Sequence, residues 1–397
     1  MTAKHDPTPS RTRNVWLCGG GTGGHVYPAL AVADALRTDD EPAMALTYIG
    51  SVGGMEAELV ARESDLPFRS VHAAPLRGQT RGALFGGLMT MLRGIADAWR
   101  LIGRERPDAI LGTGGYVCVP VMVAARLRGV RTALYLPDVV PGMAVRLLSR
   151  IVTITACTST ASQPYLWGVR LRVTGYPVRR SFGASDKLAA REACGLRHDW
   201  PVVFVYGGSR GARSINHAIA EILEPVLELA QVIHLCGREG DEAMLQRAAA
   251  ELPEWLRERY RLYPYLHAGR DGATPALFDA FASADLVISR SGASVLGELP
   301  AAGVPAILIP YPHVHQDENA DALVAAGAAL KIADHELATT GDALEGPLYR
   351  ALYRLITDWM VRGTMEARMA EQHRPDAAAT IARIVRGLAL REPIHAL

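Results

Sequence analysis

Short apolar runs recur along the chain, each closed by glycine or polar residues and followed by a segment whose apolar positions return with helical spacing. Asn14–Cys18 (NVWLC), Leu46–Ile49, Phe68–Ala73, Ala109–Leu111, Thr132–Leu136, Ile151–Thr155 and Arg172–Thr174 have the length of buried strands. Ala29–Leu36 and Ala83–Arg104 carry the helical pattern between them. The scheme restarts at Val202–Tyr206 and runs on through Val232–Leu235, Arg261–Leu266, Leu286–Ile288 and Ala306–Ile309, with a helix expected from about Arg213 to Leu229. Such alternation predicts an α/β fold with parallel sheets. Both halves open with strand, glycine-rich turn and helix, so two Rossmann-like domains facing across a cleft are expected. The expected boundaries are a disordered lead-in over 1–13, a first domain over 14–184, a linker over 185–200, a second domain over 201–375 and a helix over 376–397 that packs back on the first domain.

Within this pattern Leu286–Asn319 stands out, because both of its apolar runs end in polar residues. Arg290-Ser291-Gly292 follows the first run, and a loop with His313, His315, Gln316 and Asn319 follows the second. Ligands of parallel sheets bind outside the carboxyl ends of the strands, which makes this stretch a candidate site. Between the runs, Glu298 interrupts an apolar-periodic segment that Gly303 and Pro305 stop. Helix side chains lean toward the helix N-terminus, so Glu298 can reach the opening where Ser291 and Gly292 sit. A lone carboxylate there suits vicinal hydroxyls, such as those of a ribose, and repels phosphate. The competing reading is a solvated helix residue.

Glycine turns repeat that strand-to-helix placement elsewhere. Gly19–His25 reads GGGTGGH, with Pro28 suited to the first helical turn. Backbone N–H groups and the positive end of the helix then face an anion or polar group. No lysine follows, so this is no P-loop. The spacing of Gly19, Gly21 and Gly24 is that of a dinucleotide fingerprint, but the next strand ends in Gly50 rather than an acid, which weakens a dehydrogenase reading. His25 sits at the helix mouth, where the positive end favours neutral imidazole, the form a general base needs. A plain capping histidine fits the same position. Gly112–Tyr116 (GTGGY) is a second such turn, and Pro137-Asp138 closes another strand. Arg179 follows Gly175-Tyr176-Pro177 near the junction of the halves, where a cation could meet a pyrophosphate. Gly207–Gly211 spells GxSxG, so a hydrolase nucleophile elbow stands beside a phosphate-facing turn as its reading.

Composition narrows the chemistry more than the fold. A hydrophobic content of 49% with 21% charged residues is globular, and 397 residues suffice for two cores. A net charge of +1 gives no electrostatic case for a nucleic-acid partner. The five cysteines never form CxxC, which argues for reduced thiols in the cytoplasm and against a zinc site. Asp-x-Asp is absent, which disfavours a metal-dependent transferase of that type; no metal or cofactor is expected. Met1–Arg13 does not read as a signal peptide, and no apolar run reaches the ~18 residues of a membrane span. Membrane contact is therefore expected to be peripheral. Apolar residues at the start of Ala83–Arg104 (Leu84, Phe85, Leu88, Met89), with Arg77 and Arg81 beside them, fit either ordinary packing or a patch for anionic lipid headgroups.

Five blocks in register carry a resemblance: GGGTGGHVYPALAVADAL (19–36), GTGGY (112–116), GYPVR (175–179), YGGSRGARSIN (206–216) and RSGASVLGEL…AILIPYPHVHQDENADALVAAGAA (290–329). Together, from about Asn14 to Ala329, they resemble the MurG family, GT-B glycosyltransferases of family 28. The resemblance implies an inverting transfer of N-acetylglucosamine from UDP-N-acetylglucosamine to lipid I, forming lipid II for peptidoglycan at the cytoplasmic face of the cell membrane. It places Gly20, Gly21, Gly114, Gly115 and Tyr116 on the acceptor side, and Thr22, Gly23, Gly24 and His25 by the transferred sugar. Arg179, Gly208 and Ser209 would meet the donor pyrophosphate, and Leu266 would lie by the uracil. Ser291 and Gly292 would flank the nucleotide, Glu298 would hold the ribose, and Gln316 and Asn319 would touch the sugar. It also implies anionic membrane lipids, and proteins of wall synthesis or division, as partners.

The chain departs from the family where His-Glu-Gln-Asn is common and Tyr135-Leu136-Pro137-Asp138 stands instead. Tyr176 replaces a common Asn, and Arg210 a common Gln. His25 is thus the first candidate for general base and Asp138 the second. The alternatives are another GT-B enzyme on UDP-sugars, with a different lipid acceptor or epimerase-like, and a non-catalytic nucleotide-sugar-binding protein.

Overall fold

The computed structural model describes residues 11–38, 43–74, 81–166, 168–179, 182, 186–208, 211–238, 240–267, 269, 274–312, 314–338 and 341–396, with the side chains of 81–85 left out. Most of the expected lead-in, Arg77, and the side chains of Arg81, Leu84 and Phe85 therefore lie outside the described residues. The chain divides into two compact units, Met1–Arg179 with Pro375–Leu397, and Arg180–Arg374.

In chain order the first unit contains β1 (Arg13–Cys18), α1 (Gly23–Thr38), β2 (Met44–Ser51), α2 (Glu56–Glu63), β3 (Phe68–Val71), α3 (Arg81–Glu105), β4 (Ala109–Gly112), α4 (Cys118–Leu127), β5 (Arg131–Leu136), α5 (Met143–Leu148), β6 (Ile154–Cys157) and β7 (Leu171–Val173). The sheet order is β3-β2-β1-β4-β5-β6-β7, with every pair parallel. Alternation along β1 divides the core: Val15 and Leu17 join Leu30, Tyr48 and Tyr135 on one face, and Trp16 and Cys18 join Ile102, Val121 and Met122 on the other.

The second unit contains α6 (Lys187–Ala193), β8 (Val202–Tyr206), α7 (Arg213–Glu221), α8 (Leu223–Leu229), β9 (Gln231–Leu235), α9 (Glu242–Ala250), α10 (Glu254–Arg257), β10 (Tyr260–Tyr263), α11 (Leu277–Ser283), β11 (Leu286–Ser289), α12 (Val295–Ala302), β12 (Ala306–Leu308), α13 (Asp317–Ala325), β13 (Ala329–Lys331), α14 (Pro347–Thr357) and α15 (Trp359–Glu371). Its sheet, also parallel, has the order β10-β9-β8-β11-β12-β13. The helix expected over Arg213–Leu229 is two helices broken at Ile222. Pro225 is the reason: its ring excludes the carbonyl four residues back, at Glu221, from a helical bond. The stretch 185–200 includes α6, whose Arg191 donates to the Ser283 carbonyl at 3.2 Å and to Asp285 at 2.6 Å.

After the second unit the chain ends in α16 (Ala377–Ala389), which packs on the first unit. Ile381, Val385 and Leu388 are fully buried there, each contributing about 1.5–3 kcal/mol. Arg386 donates to the Leu36 carbonyl at 3.0 Å.

In both sheets the order reverses beside the opening strand, between β1 and β4 and between β8 and β11. A crevice opens at such switch points. The glycine turns after β1, β4 and β8, and the Arg290–Gly292 stretch after β11, stand at those two places.

Candidate active site

In the first unit two glycine turns meet. The Thr113 N–H donates to the Cys18 carbonyl at 2.8 Å, extending the β1–β4 ladder, and the Thr113 hydroxyl donates to the His25 carbonyl at 2.6 Å. Thr113 thereby fixes the backbone of His25, which lies in the opening turn of α1. The imidazole Nδ1 lies 3.1 Å from the Gly20 carbonyl and 3.2 Å from the Thr22 hydroxyl. A carbonyl only accepts, so Nδ1 carries the hydrogen and Nε2 keeps its lone pair. Gly114, at φ +111°, lies against that edge of the ring: a Cβ there would come within 2.6 Å of His25 Cδ2 and 2.8 Å of Nε2. The Tyr116 ring packs against Gly21, and Gly115 against the Gly20 carbonyl.

Burial lowers the pKa of His25 below the usual histidine value; the charge of Asp138 and the Gly20 carbonyl oppose the shift. Neutral imidazole with an open Nε2 is the protonation state of a general base near pH 7. Asp138, just beyond β5, is half-buried and close enough to act on His25 electrostatically. Beneath Gly20 lies a buried carboxylate that the sequence analysis missed: Glu56 accepts from both the N–H and the hydroxyl of Ser51. Its Gly-Gly-Met-Glu context marks a turn but says nothing of burial. Gly23 and Gly24 form the first residues of α1, beside the exposed Thr22.

In the second unit a cavity of about 730 Å³ opens at the end of β8, walled by Gly208, Gly211, Arg213, Arg290, Gly292 and Gln316 among others. Gly211 has φ +87°, and a Cβ there would overlap the Cys236 carbonyl, so only glycine closes the turn onto β9. Ala212, the N-cap of α7, has no side-chain acceptor, which leaves the first helical N–H groups open toward an anion. Glu298 sits in the opening turn of α12, where burial raises its pKa to about 7. Its Oε2 is buried and has no hydrogen-bond partner. An orphaned acceptor of that kind matches a diol donor that the protein itself does not supply.

Other expected contacts have different surroundings. Arg179 was expected to meet the donor pyrophosphate. It donates to the Glu63 carboxylate at 2.8 Å and to the Glu63 carbonyl at 2.6 Å, at the end of α2. That partner is a buried carboxylate supplied from a distant part of the chain, which local spacing does not reveal. Ser291 and Asn319 are fully buried and tie β11 to α13: the Ser291 hydroxyl donates to the Gln316 carbonyl at 2.9 Å, and the Asn319 amide to the Ser291 carbonyl at 3.1 Å. They brace the cavity wall rather than offering surface. The Gln316 side-chain oxygen accepts from the Tyr311 N–H at 2.9 Å. Leu266 is buried. Ser209 lies outside the described residues. Among those described, no group of three His, Cys, Asp or Glu could hold a metal ion.

Residues 15–157 match the glycosyltransferase family 28 N-terminal domain, and residues 202–381 its C-terminal domain. The chain belongs to glycosyltransferase family 28. It is 49% identical to the UDP-N-acetylglucosamine–N-acetylmuramyl-(pentapeptide) pyrophosphoryl-undecaprenol N-acetylglucosamine transferase of Roseiflexus sp. (strain RS-1), over 97% of each chain. The transferase of the same name from Moorella thermoacetica is 35% identical, over 94% of this chain and 98% of that one. Among solved structures, Acinetobacter baumannii MurG aligns with a TM-score of 0.68 at 25% identity, covering 94% of this chain and 99% of that one. The family 28 fold, two Rossmann-like domains with parallel sheets, is the one present here.

Proposed function

We infer that this chain transfers N-acetylglucosamine from UDP-N-acetylglucosamine to lipid I, giving lipid II for peptidoglycan synthesis. The observation that carries this is the 49% identity over 97% of both chains with a transferase of that name.

The reaction is a single displacement. The acceptor hydroxyl attacks the anomeric carbon, the bond to the diphosphate breaks, and UDP departs with the charge. The hydroxyl proton passes to His25 Nε2, and the configuration inverts to a β-linkage. Asp138 biases that proton transfer through its charge on His25. In the second unit Glu298 accepts from the ribose hydroxyls, and the Leu266 backbone reads the uracil. Gly292 and Gln316 border the sugar diphosphate. The N–H groups around Gly208–Gly211 and the start of α7 stabilise the leaving diphosphate. Gly20, Gly21, Gly114, Gly115 and Tyr116 receive the acceptor. Arg179, ion-paired with Glu63, is a further cation for the diphosphate.

No described helix is long and apolar enough to cross a membrane. The lipid acceptor is met instead by a peripheral face on α3, where Leu88, Met89 and Leu92 are exposed beside Arg93.

The test is radiolabelled sugar transfer onto purified lipid I, with UDP-N-acetylgalactosamine as control. Lipid-dependent UDP release with the gluco donor alone supports the reading. UDP release that ignores lipid I, or equal use of both donors, refutes it.

A further inference from the structure

The donor cavity is walled by two described arginines with different surroundings. Arg290 donates through Nη1 to Asp334 at 2.5 Å and to the carbonyls of Ile309 and Pro310 at 3.2 and 3.3 Å. Its Nη2 donates to the Ser214 hydroxyl at 2.7 Å, which donates in turn to Asp334 at 2.6 Å. With its side chain 11% exposed and its charge matched, Arg290 is a clamp between β11, β12 and α7. Arg213 differs. It opens α7, its side chain is 76% exposed, and its Nε lies 3.4 Å from Asp241 Oδ1. It lines the cavity together with Gly208 and Gly211.

Behind Asp241 runs a buried polar chain whose donor directions follow one another. Fully buried His234 is held neutral, its pKa lowered to about 3 by burial. Its Nδ1 lies 2.9 Å from the Tyr260 hydroxyl, and burial keeps that tyrosine protonated and able to donate. The hydrogen of His234 is therefore on Nε2, which donates to Asn216 Oδ1 at 3.0 Å. With its oxygen so used, Asn216 turns its amide nitrogen to the Cys236 carbonyl at 2.9 Å and to Asp241 Oδ2 at 2.8 Å. The outer end of this chain is a carboxylate 12% exposed, presented to Arg213. A fully satisfied buried polar run rigidifies the elements it joins and holds one geometry.

We propose that Arg213 is a cation that meets the donor's diphosphate, aimed into the cavity by Asp241. This rests on the cavity being the UDP-sugar site. A guanidinium can bind Asp241 through Nε while its two terminal nitrogens fork onto phosphate oxygens, an arrangement a lysine ammonium does not reproduce.

The experiment titrates UDP and uridine into wild-type protein and variants by calorimetry. Arg213→Ala is expected to weaken UDP by about 10- to 100-fold and to leave uridine unchanged. Arg213→Lys is expected to fall between the two. Asp241→Asn is expected to change UDP affinity only where Arg213 is present, as a double-mutant cycle reads. Unchanged UDP affinity in Arg213→Ala, or equal losses for UDP and uridine, overturns the proposal. Full rescue by lysine, or additive effects in the cycle, overturns the aiming role of Asp241. Wild-type protein that binds neither probe overturns the reading of the cavity itself, a result separate from the others.

Discussion

The Nδ1 atom of His25 lies 3.1 Å from the carbonyl oxygen of Gly20. That contact decides which nitrogen carries the hydrogen, and so which one can take a proton from the acceptor. His25→Ala should lower kcat by about 10²–10⁴-fold with UDP affinity retained. Steady-state transfer together with a UDP titration checks both halves; full activity in the variant would remove His25 as the base.

Gly114 provides a second handle on the same ring. An added methyl would press on His25 Cδ2 and Nε2, at a φ of +111° that L side chains rarely adopt. Gly114→Ala should therefore cost stability, by about 1–3 kcal/mol, and kcat as well. Thermal melts and transfer rates on one preparation test this. A variant that loses stability but keeps kcat would show that the ring has room.

The pH profile follows from the causes acting on His25. Burial lowers its pKa, so the base is lost only below the ordinary histidine range, and the acid limb of kcat/KM should lie there. Asp138 pulls the value upward. In Asp138→Asn that pull is gone, so the limb should move further toward acid. A limb that stays in place or moves toward neutrality contradicts the coupling.

Glu298 links donor binding to stability. Its folded pKa, raised to about 7 by burial, lies above that of an unfolded carboxyl. Its contribution is thus fully present below the unfolded value and is lost as pH rises through about 7. At pH 8 the ionised group burdens the fold, at most by about 3 kcal/mol. Glu298→Gln should then melt higher than wild type at pH 8, with little difference at pH 5, while binding UDP-N-acetylglucosamine about 10-fold or more weakly. Melts at both pH values and one titration suffice. Unchanged donor affinity would end the ribose assignment.

The exposed face of α3 predicts lipid dependence. Leu88→Ser, Met89→Ser and Leu92→Ser combined should reduce partitioning onto anionic vesicles by about 10- to 100-fold. Turnover of a water-soluble acceptor analogue should not change. Sedimentation with vesicles separates this from a folding defect, and undiminished partitioning would place the lipid contact elsewhere.

Much of the fold was legible because it is written in short-range pattern. The runs at Asn14–Cys18 and Val202–Tyr206, and the glycine turns after them, encode strand, turn and parallel crossover within a few residues. His25 was legible as a helix-mouth histidine for the same reason. The partners that set chemistry were not. Arg179 meets Glu63, 116 residues away in sequence, and Asn216 joins His234 to Asp241. Spacing carries no trace of such pairs, since they form only when separate elements pack. The hydrogen bonds by which Ser291 and Asn319 satisfy buried backbone carbonyls were equally absent from the local pattern.

The placement of α16 bears on how the protein is made. The first unit precedes the second in the chain, yet α16, which completes the cover over β4 and β5 beside α1, is made only after the second unit. Without α16, the part of this core that Ile381, Val385 and Leu388 fill would be an exposed apolar surface. A message that ends early, or a protease cut near Pro375, would yield a chain prone to clump, so loss of the tail would be felt at the opposite end of the sequence.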